Sequence, residues 1–174
     1  MFWNKRGYTL VELLAILAII ALLMTAVFSI FIFSQRLFLS TSRRNSLHNS
    51  LRVTAEHISN ELRFAFFLEL VNEPDWDVDA VDVTEYSYIY FDRDSNSVIL
   101  LNEDGSKVLS DGKITDTAFY GNVSTLLFNL EGEKGKESYT LESSVRLLNY
   151  RCNFQNPDSP IALRFSMDPN IIIP

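Results

Sequence analysis

The residues with the clearest chemistry stand at the amino terminus, in Lys5-Arg6-Gly7-Tyr8-Thr9-Leu10-Val11-Glu12. A short basic leader passes through one glycine into an apolar run that carries a single acid. In a secretory signal peptide the apolar core precedes the cleavage site, is lost with the leader and contains no carboxylate. Here any processing point that keeps the apolar run comes before it, as a cut after Gly7 would. Hydrolysis there would create an α-amine on Tyr8, four residues ahead of Glu12. Such an amine is largely protonated at neutral pH, with a reference pKa of about 7.7 to 8.0. A carboxylate inside a bilayer core costs about 2.5 to 3.5 kcal/mol by insertion scales, so Glu12 at the edge of an apolar span asks for a cation.

The element that must position this pair is the run behind it. Leu13 to Phe33 holds 21 residues with no charge, glycine or proline, and at about 1.5 Å of rise per residue it covers roughly the 30 Å of a bilayer core. Beyond it, Leu47, Leu51, Ala55, Ile58 and Leu62, then Ala65 or Phe66 and Glu69 or Leu70, step at three and four residues. That spacing predicts an amphipathic helix over 34–73, stopped by Glu73-Pro74, since a residue before proline is pushed out of the α region. No Gly or Pro interrupts Tyr8 to Glu73, and a helix of that length would run about 100 Å. Low-propensity residues cluster over Ser40 to Ser46, which predicts a bend or local fraying there.

Gly7-Tyr8-Thr9-Leu10-Val11-Glu12, with its basic leader and apolar helix, resembles the class III signal of type IV prepilins and pseudopilins. The resemblance implies cleavage between Gly7 and Tyr8 by a membrane-embedded prepilin peptidase, and N-methylation of Tyr8. It also implies that Glu12, fifth in the mature chain, pairs with the terminal amine of a neighbouring subunit during filament assembly. The implied partners are other pilin or pseudopilin subunits, the peptidase/methyltransferase and an inner-membrane assembly platform. Many major pilins carry proline at the position of Ser29, and its lack here points to a short pseudopilus or a tip. The stretches Tyr88 to Asp94 and Tyr139 to Asn149 more loosely resemble the head of J-type or W-type minor pilins. One tip subunit of such complexes lacks the acid at the fifth position, so Glu12 argues against that particular role.

Charge and length bound the remainder. The 174 residues suit one ordinary domain plus a stalk. Residues 1–72 hold 7 basic and 4 acidic side chains, and residues 73–174 hold 8 and 18. An acidic head argues against direct nucleic-acid binding, which rests on clustered positive charge. Lys5 and Arg6 favour a cytoplasmic amino terminus, while Arg36, Arg43 and Arg44 follow the span. Counting alone does not orient it; the resemblance implies N-in, with the head extracytoplasmic and later part of a cell-surface or periplasmic filament. The single cysteine, Cys152, allows no intrachain disulfide and reads as a small buried hydrophobe.

The distal half predicts strand. Tyr86 to Phe91 and Val98 to Leu101 flank the polar turn Asp92 to Ser97, and Leu126, Phe128, Leu130 and Tyr139, Leu141, Val145, Leu147 alternate around a connection at Glu131 to Lys136. The expected fold class is α+β, a long N-terminal helix packed against a distal antiparallel sheet. The expected organisation is a leader at 1–7, a membrane half at 8–33, an amphipathic half at 34–73 and a β-rich head at 74–174. Asp168 to Pro174 is either a last edge strand or a strand lent to a neighbour.

No catalytic constellation can be assembled. His48 and His57 lie nine residues apart, not in the i, i+4 register of a helical metal site, and read as surface or packing residues. Asp92, Asp94, Asn96 and Glu103 match positions 1, 3, 5 and 12 of a calcium loop, but Ser97 stands where that loop needs glycine, so a solvated turn is the better reading. The acidic run Asp75, Asp77, Asp79 and Asp82 reads as a solvated loop. The expectation is a non-enzymatic assembly subunit without a cofactor, calcium at one of these turns being the exception. Its rival is a bitopic sensor or adaptor with an uncleaved anchor and a ligand-binding head.

Overall fold

The computed structural model describes residues 9–72, 77–78, 80–110, 114–122, 124–148 and 160–170. The chain divides into two compact units, Met1–Ser42 and Arg43–Pro174. One helix, α1 (Leu10–Leu62), contributes to both. Its first part is apolar all round and carries the exposed Leu13, Leu17, Ile20, Val27 and Phe31. It is long and apolar enough to cross a membrane. Two hydroxyls inside this run bond back to their own helix, Thr25 Oγ1 to the Ala21 carbonyl at 2.8 Å and Ser29 Oγ to the Thr25 carbonyl at 2.9 Å. No hydroxyl there needs an outside partner.

In the second unit α1 becomes one-sided. Leu47, Leu51, Ile58 and Leu62 are buried, each burial being favourable by about 1.5 to 3 kcal/mol. They pack against antiparallel sheets whose strands, among the described residues, are β1 (Phe67–Asn72), β2 (Ser87–Asp92), β3 (Ser97–Asn102), β4 (Gly105–Val108), β5 (Ile114–Asn122), β6 (Thr125–Lys134), β7 (Glu137–Arg146) and β8 (Pro160–Ser166). The larger sheet has the order β1-β8-β2-β3-β4 and the smaller β5-β6-β7. Leu68, Ile89, Val98, Leu163 and Phe165 from the first and Phe119, Leu126, Phe128 and Val145 from the second join the helix in one core. The alternation buried/exposed along β6 is the half-buried strand pattern expected of such a sheet.

Several expectations are corrected. The helix ends at Leu62, short of Glu73, and residues 67–72 form β1. Here tertiary pairing wins: β1 lies antiparallel to β8, with Leu68 opposite Phe165 and Leu70 opposite Leu163, and the alternating side chains enter the core from a strand. The helix end is closed by strand ends, because Leu148 N–H donates to the Arg63 carbonyl at 3.1 Å and Phe66 N–H to the Ser166 carbonyl at 2.9 Å. Ser40 to Ser46 is uninterrupted helix, so the predicted fraying is absent. Among the described residues the strands form two sheets where one was expected. The connection expected at Glu131 to Lys136 is shorter, because β6 continues to Lys134 and Gly135 turns the chain at φ +73. The last described strand, β8, lies inside the larger sheet, flanked by β1 and β2. The predicted terminal segment Ile171 to Pro174 lies outside the described residues, as does Cys152.

Candidate functional site

The site begins where α1 begins. Thr9 stands just before the helix and its carbonyl accepts the first intrahelical bond, from Leu13 N–H at 3.2 Å. Thr9 N–H donates to Glu12 Oε2 at 2.9 Å, Thr9 Oγ1 donates to the same oxygen at 3.1 Å, and Glu12 N–H donates to Thr9 Oγ1 at 3.3 Å. This is a reciprocal capping box, Thr at the cap and Glu three residues on, and it satisfies helix-end donors that have no intrahelical partner. The carboxylate also sits where the helix dipole favours negative charge. Among the described residues no cation pairs with Glu12, which is exposed at the head of a fully apolar stretch. Among the described residues the site therefore holds one negative charge in a set orientation. Gly7 and Tyr8 lie outside the described residues.

The sequence of this region matches a known family signature, the prokaryotic N-terminal methylation motif, over residues 4–28. The match spans Lys5 to Glu12 and the first turns of the apolar run. The chain carries a type IV prepilin signal on a pilin fold. Two solved structures share that fold. The PilB minor pilin from Streptococcus sanguinis aligns with a TM-score of 0.56 and 16% identity over 73% of this chain and 35% of that one. The D319A mutant of the same minor pilin aligns with a TM-score of 0.53 and 12% identity over 75% of this chain and 35% of that one. The chain thus spans about a third of the length of these structures. No curated protein sequence matches it.

The other residues singled out from sequence fall as follows. Asp92 closes the β2–β3 turn: its Oδ1 accepts Asp94 N–H at 3.1 Å and its Oδ2 accepts Ser95 Oγ at 2.5 Å. These bonds, the Ser95 hydroxyl first, hold the Asp92 carboxyl below its ordinary range. Asn96 takes the left-handed conformation at φ +50, as asparagine tolerates in turns. Glu103 follows β3 at its far end, six residues of strand or about 20 Å away, so Asp92, Asp94 and Asn96 are not gathered with it. Among the described residues no cluster of three or more His, Cys, Asp or Glu could hold a metal. Asp82 caps its own turn, accepting Thr84 Oγ1 at 2.6 Å and Thr84 N–H at 2.9 Å, which lowers its pKa. His48 packs on Tyr139 with ring centroids 4.9 Å apart.

Two features escaped the sequence reading. The Thr9 cap was missed although it has a local signal, since Thr-x-x-Glu ahead of an apolar run is a helix-start signature. Arg164 on β8 was missed as well: it pairs with Glu69 on β1 while its guanidinium lies over the rings of Tyr86 at 4.8 Å and Phe67 at 5.8 Å. That cluster joins residues some 95 positions apart and has no local signal.

Proposed function

We propose that this chain is a minor pilin or pseudopilin that assembles through its N-terminal helix into a type IV pilus or a secretion or competence pseudopilus, in a priming or tip complex. The observation that carries the reading is the prepilin motif at residues 4–28 running directly into a helix whose third residue, Glu12, presents a capped carboxylate. A prepilin peptidase cuts after Gly7, Tyr8 is N-methylated, and the amine so formed on one subunit neutralises Glu12 of the next at low dielectric, where an unpaired charge is strongly unfavourable. Exposed apolar side chains from Leu10 to Leu39 lie in the cytoplasmic membrane before assembly and against neighbouring helices after it. The amino terminus is cytoplasmic and the head extracytoplasmic. The head contributes subunit contacts, and the chain is processed by an enzyme without being one.

Two measurements on native membranes test this. Mass analysis of the amino terminus is expected to find a chain starting at N-methylated Tyr8; an intact Met1 to Gly7 leader overturns the reading. Gentle solubilisation and a pull on a tagged head are expected to recover a small equimolar set of different pilin-like chains. Recovery with many copies of itself alone would make it a major subunit.

A further inference from the structure

The second unit begins with two exposed cations, Arg43 and Arg44 on α1. They follow by four and five residues Leu39, the last exposed large apolar side chain of the first unit. More positive charge is folded against them. The β6–β7 hairpin turns at Gly135, and its tip is fixed to the start of this unit. Lys134 Nζ donates to Ser46 Oγ at 2.7 Å, Tyr139 stacks on His48, and a Cβ added at Gly135 would stand 3.7 Å from Arg43 Nη1. Lys136, exposed, lies on the same turn. Arg43, Arg44, Lys134 and Lys136 thus gather at one end of the head, against Glu133, exposed, and Glu137, half-buried and already engaged.

The remainder of the head is acidic: residues 43–174 hold 12 basic and 21 acidic side chains. Far along the same helix Glu61 lies 3.9 Å from Lys107 of β4, a strand that the chain enters through the exposed Glu103 and Asp104. Glu61 is 18 residues from Arg43, about 27 Å of helix. Surface charge is screened within roughly 8 to 10 Å at physiological salt. An anionic surface therefore attracts the Arg43 end while the acids around β4 stay beyond its reach.

The apolar run decides which surface that end meets. Past Phe33, exposed Leu37, Phe38 and Leu39 extend it by six residues, about 9 Å. That is comparable with the roughly 5 to 7 Å of headgroup layer on each face of a bilayer. From Leu39 to Arg43 the chain spans at most about 14 Å in any conformation. With the run in a membrane, Arg43 and Arg44 stand beside its headgroups.

We propose that Arg43, Arg44 and the β6–β7 tip dock on the phosphates of anionic lipids at the extracytoplasmic face of the membrane. The unassembled subunit then presents its acidic end outward, to its partners. The inference rests on the reading of α1 as a membrane span with the head outside, and adds the state before assembly. It gives Arg43 and Arg44 a use on the side of the span where cations are otherwise disfavoured.

The test places the full chain, with Cys152→Ser throughout, in nanodiscs of phosphatidylcholine alone or of an equal mixture with phosphatidylglycerol, each with a nitroxide-headgroup lipid. A fluorophore on Ser138→Cys, exposed beside the hairpin tip, reads contact with the surface, and one on Ser106→Cys of β4 is the distant control. Quenching at Ser138 is expected to be about three-fold greater in the anionic discs, and to fall to the neutral level in ~1 M salt, where screening acts within about 3 Å. Arg44→Glu with Lys136→Glu should remove the difference, and the milder Arg44→Gln with Lys136→Gln should reduce it; neither pair alters the Lys134–Ser46 bond. Equal quenching in both lipids, an equal rise at Ser106, or indifference to these substitutions overturns the proposal. A label on Phe31→Cys with brominated acyl chains reads insertion. A chain that does not insert sinks the membrane reading and the proposal with it, whereas an inserted chain without the lipid preference overturns the proposal alone. Charge reversal that leaves lipid contact unchanged yet depletes the chain from pilin-like complexes also overturns it, and assigns the cations to an acidic subunit.

Discussion

Thr9 and Glu12 hold each other: the Thr9 amide and hydroxyl reach the Glu12 carboxylate at 2.9 and 3.1 Å, and the Glu12 amide reaches back to Thr9 Oγ1 at 3.3 Å. The acid proposed to serve assembly is thus also part of the cap that starts its own helix. Cap and charge are separable by substitution.

Glu12→Ala is expected to be cleaved normally after Gly7 and to be strongly depleted from filaments or complexes. Glu12→Gln keeps the capping geometry, since glutamine also serves a capping box, but carries no charge. Immunoblots of the processed chain in membrane and assembled fractions compare the two. Glutamine behaving like alanine assigns the role to charge, whereas normal assembly of the glutamine variant assigns it to the cap.

Thr9→Val removes the hydroxyl at nearly constant shape. The expected cost is about 0.5 to 2 kcal/mol of helix-end stability. Backbone amide exchange of Val11 to Leu13 in micelles should quicken several-fold, with the head unaffected. Unchanged exchange would show that the cap adds nothing.

Core truncation in the head should be severe. Phe128 and Ile58 are fully buried at 0% exposure in the shared core. Phe128→Ala should destabilise by about 3 to 5 kcal/mol and Ile58→Ala by about 2 to 5 kcal/mol. Denaturant titration of the purified chain, followed by near-ultraviolet dichroism of the head, reads both.

Arg164 and Glu69 form a partly exposed pair, with side chains 27% and 35% accessible. Arg164 also covers Tyr86 and Phe67, and its Nε is buried with no hydrogen-bond partner among the described residues. Glu69→Gln should therefore cost only about 1 kcal/mol, since solvent screens the pair. Arg164→Ala should cost more, about 2 kcal/mol, through lost packing on the two rings. Equal losses in thermal melts would mean that only the ion pair counts.

The head should lose stability at both ends of the pH scale. Asp82 and Asp92 have lowered folded-state pKa values, the first through the Thr84 hydroxyl and amide, the second through the Ser95 hydroxyl and Asp94 amide. Their contribution is complete above the unfolded value of about 3.9 and is lost as pH falls from there through the folded values. Tyr88 and Tyr90 are shifted upward, chiefly by burial. Their contribution is complete below about pH 10 and is lost as pH rises beyond it. Carboxyl titration by NMR should place Asp82 and Asp92 below ordinary aspartates, and Asp92→Asn should flatten the acid limb of the melting curve.

Much of the site and the outline of the fold were legible in sequence because the signals are local. A glycine, a basic leader, an acid and 21 uncharged residues mark the methylation motif, an apolar run long enough to cross a membrane and a helix start within one stretch, and Thr9 to Glu12 spells its own cap. Leu47, Leu51, Ala55, Ile58 and Leu62 announce the buried face by spacing, and Leu126, Phe128 and Leu130 announce a half-buried strand. Where the helix ends was not legible, because Ala65, Phe66 and Leu70 also continue a helical stripe. Only pairing of Phe67–Asn72 with β8, almost a hundred residues away, makes the strand the lower state. The division into two sheets, the place of β8 between β1 and β2, and the stacking of Arg164 on Tyr86 and Phe67 were likewise settled by tertiary structure. Each is a long-range contact whose closure entropy is offset only when the whole core forms, and nothing in the neighbouring residues records it.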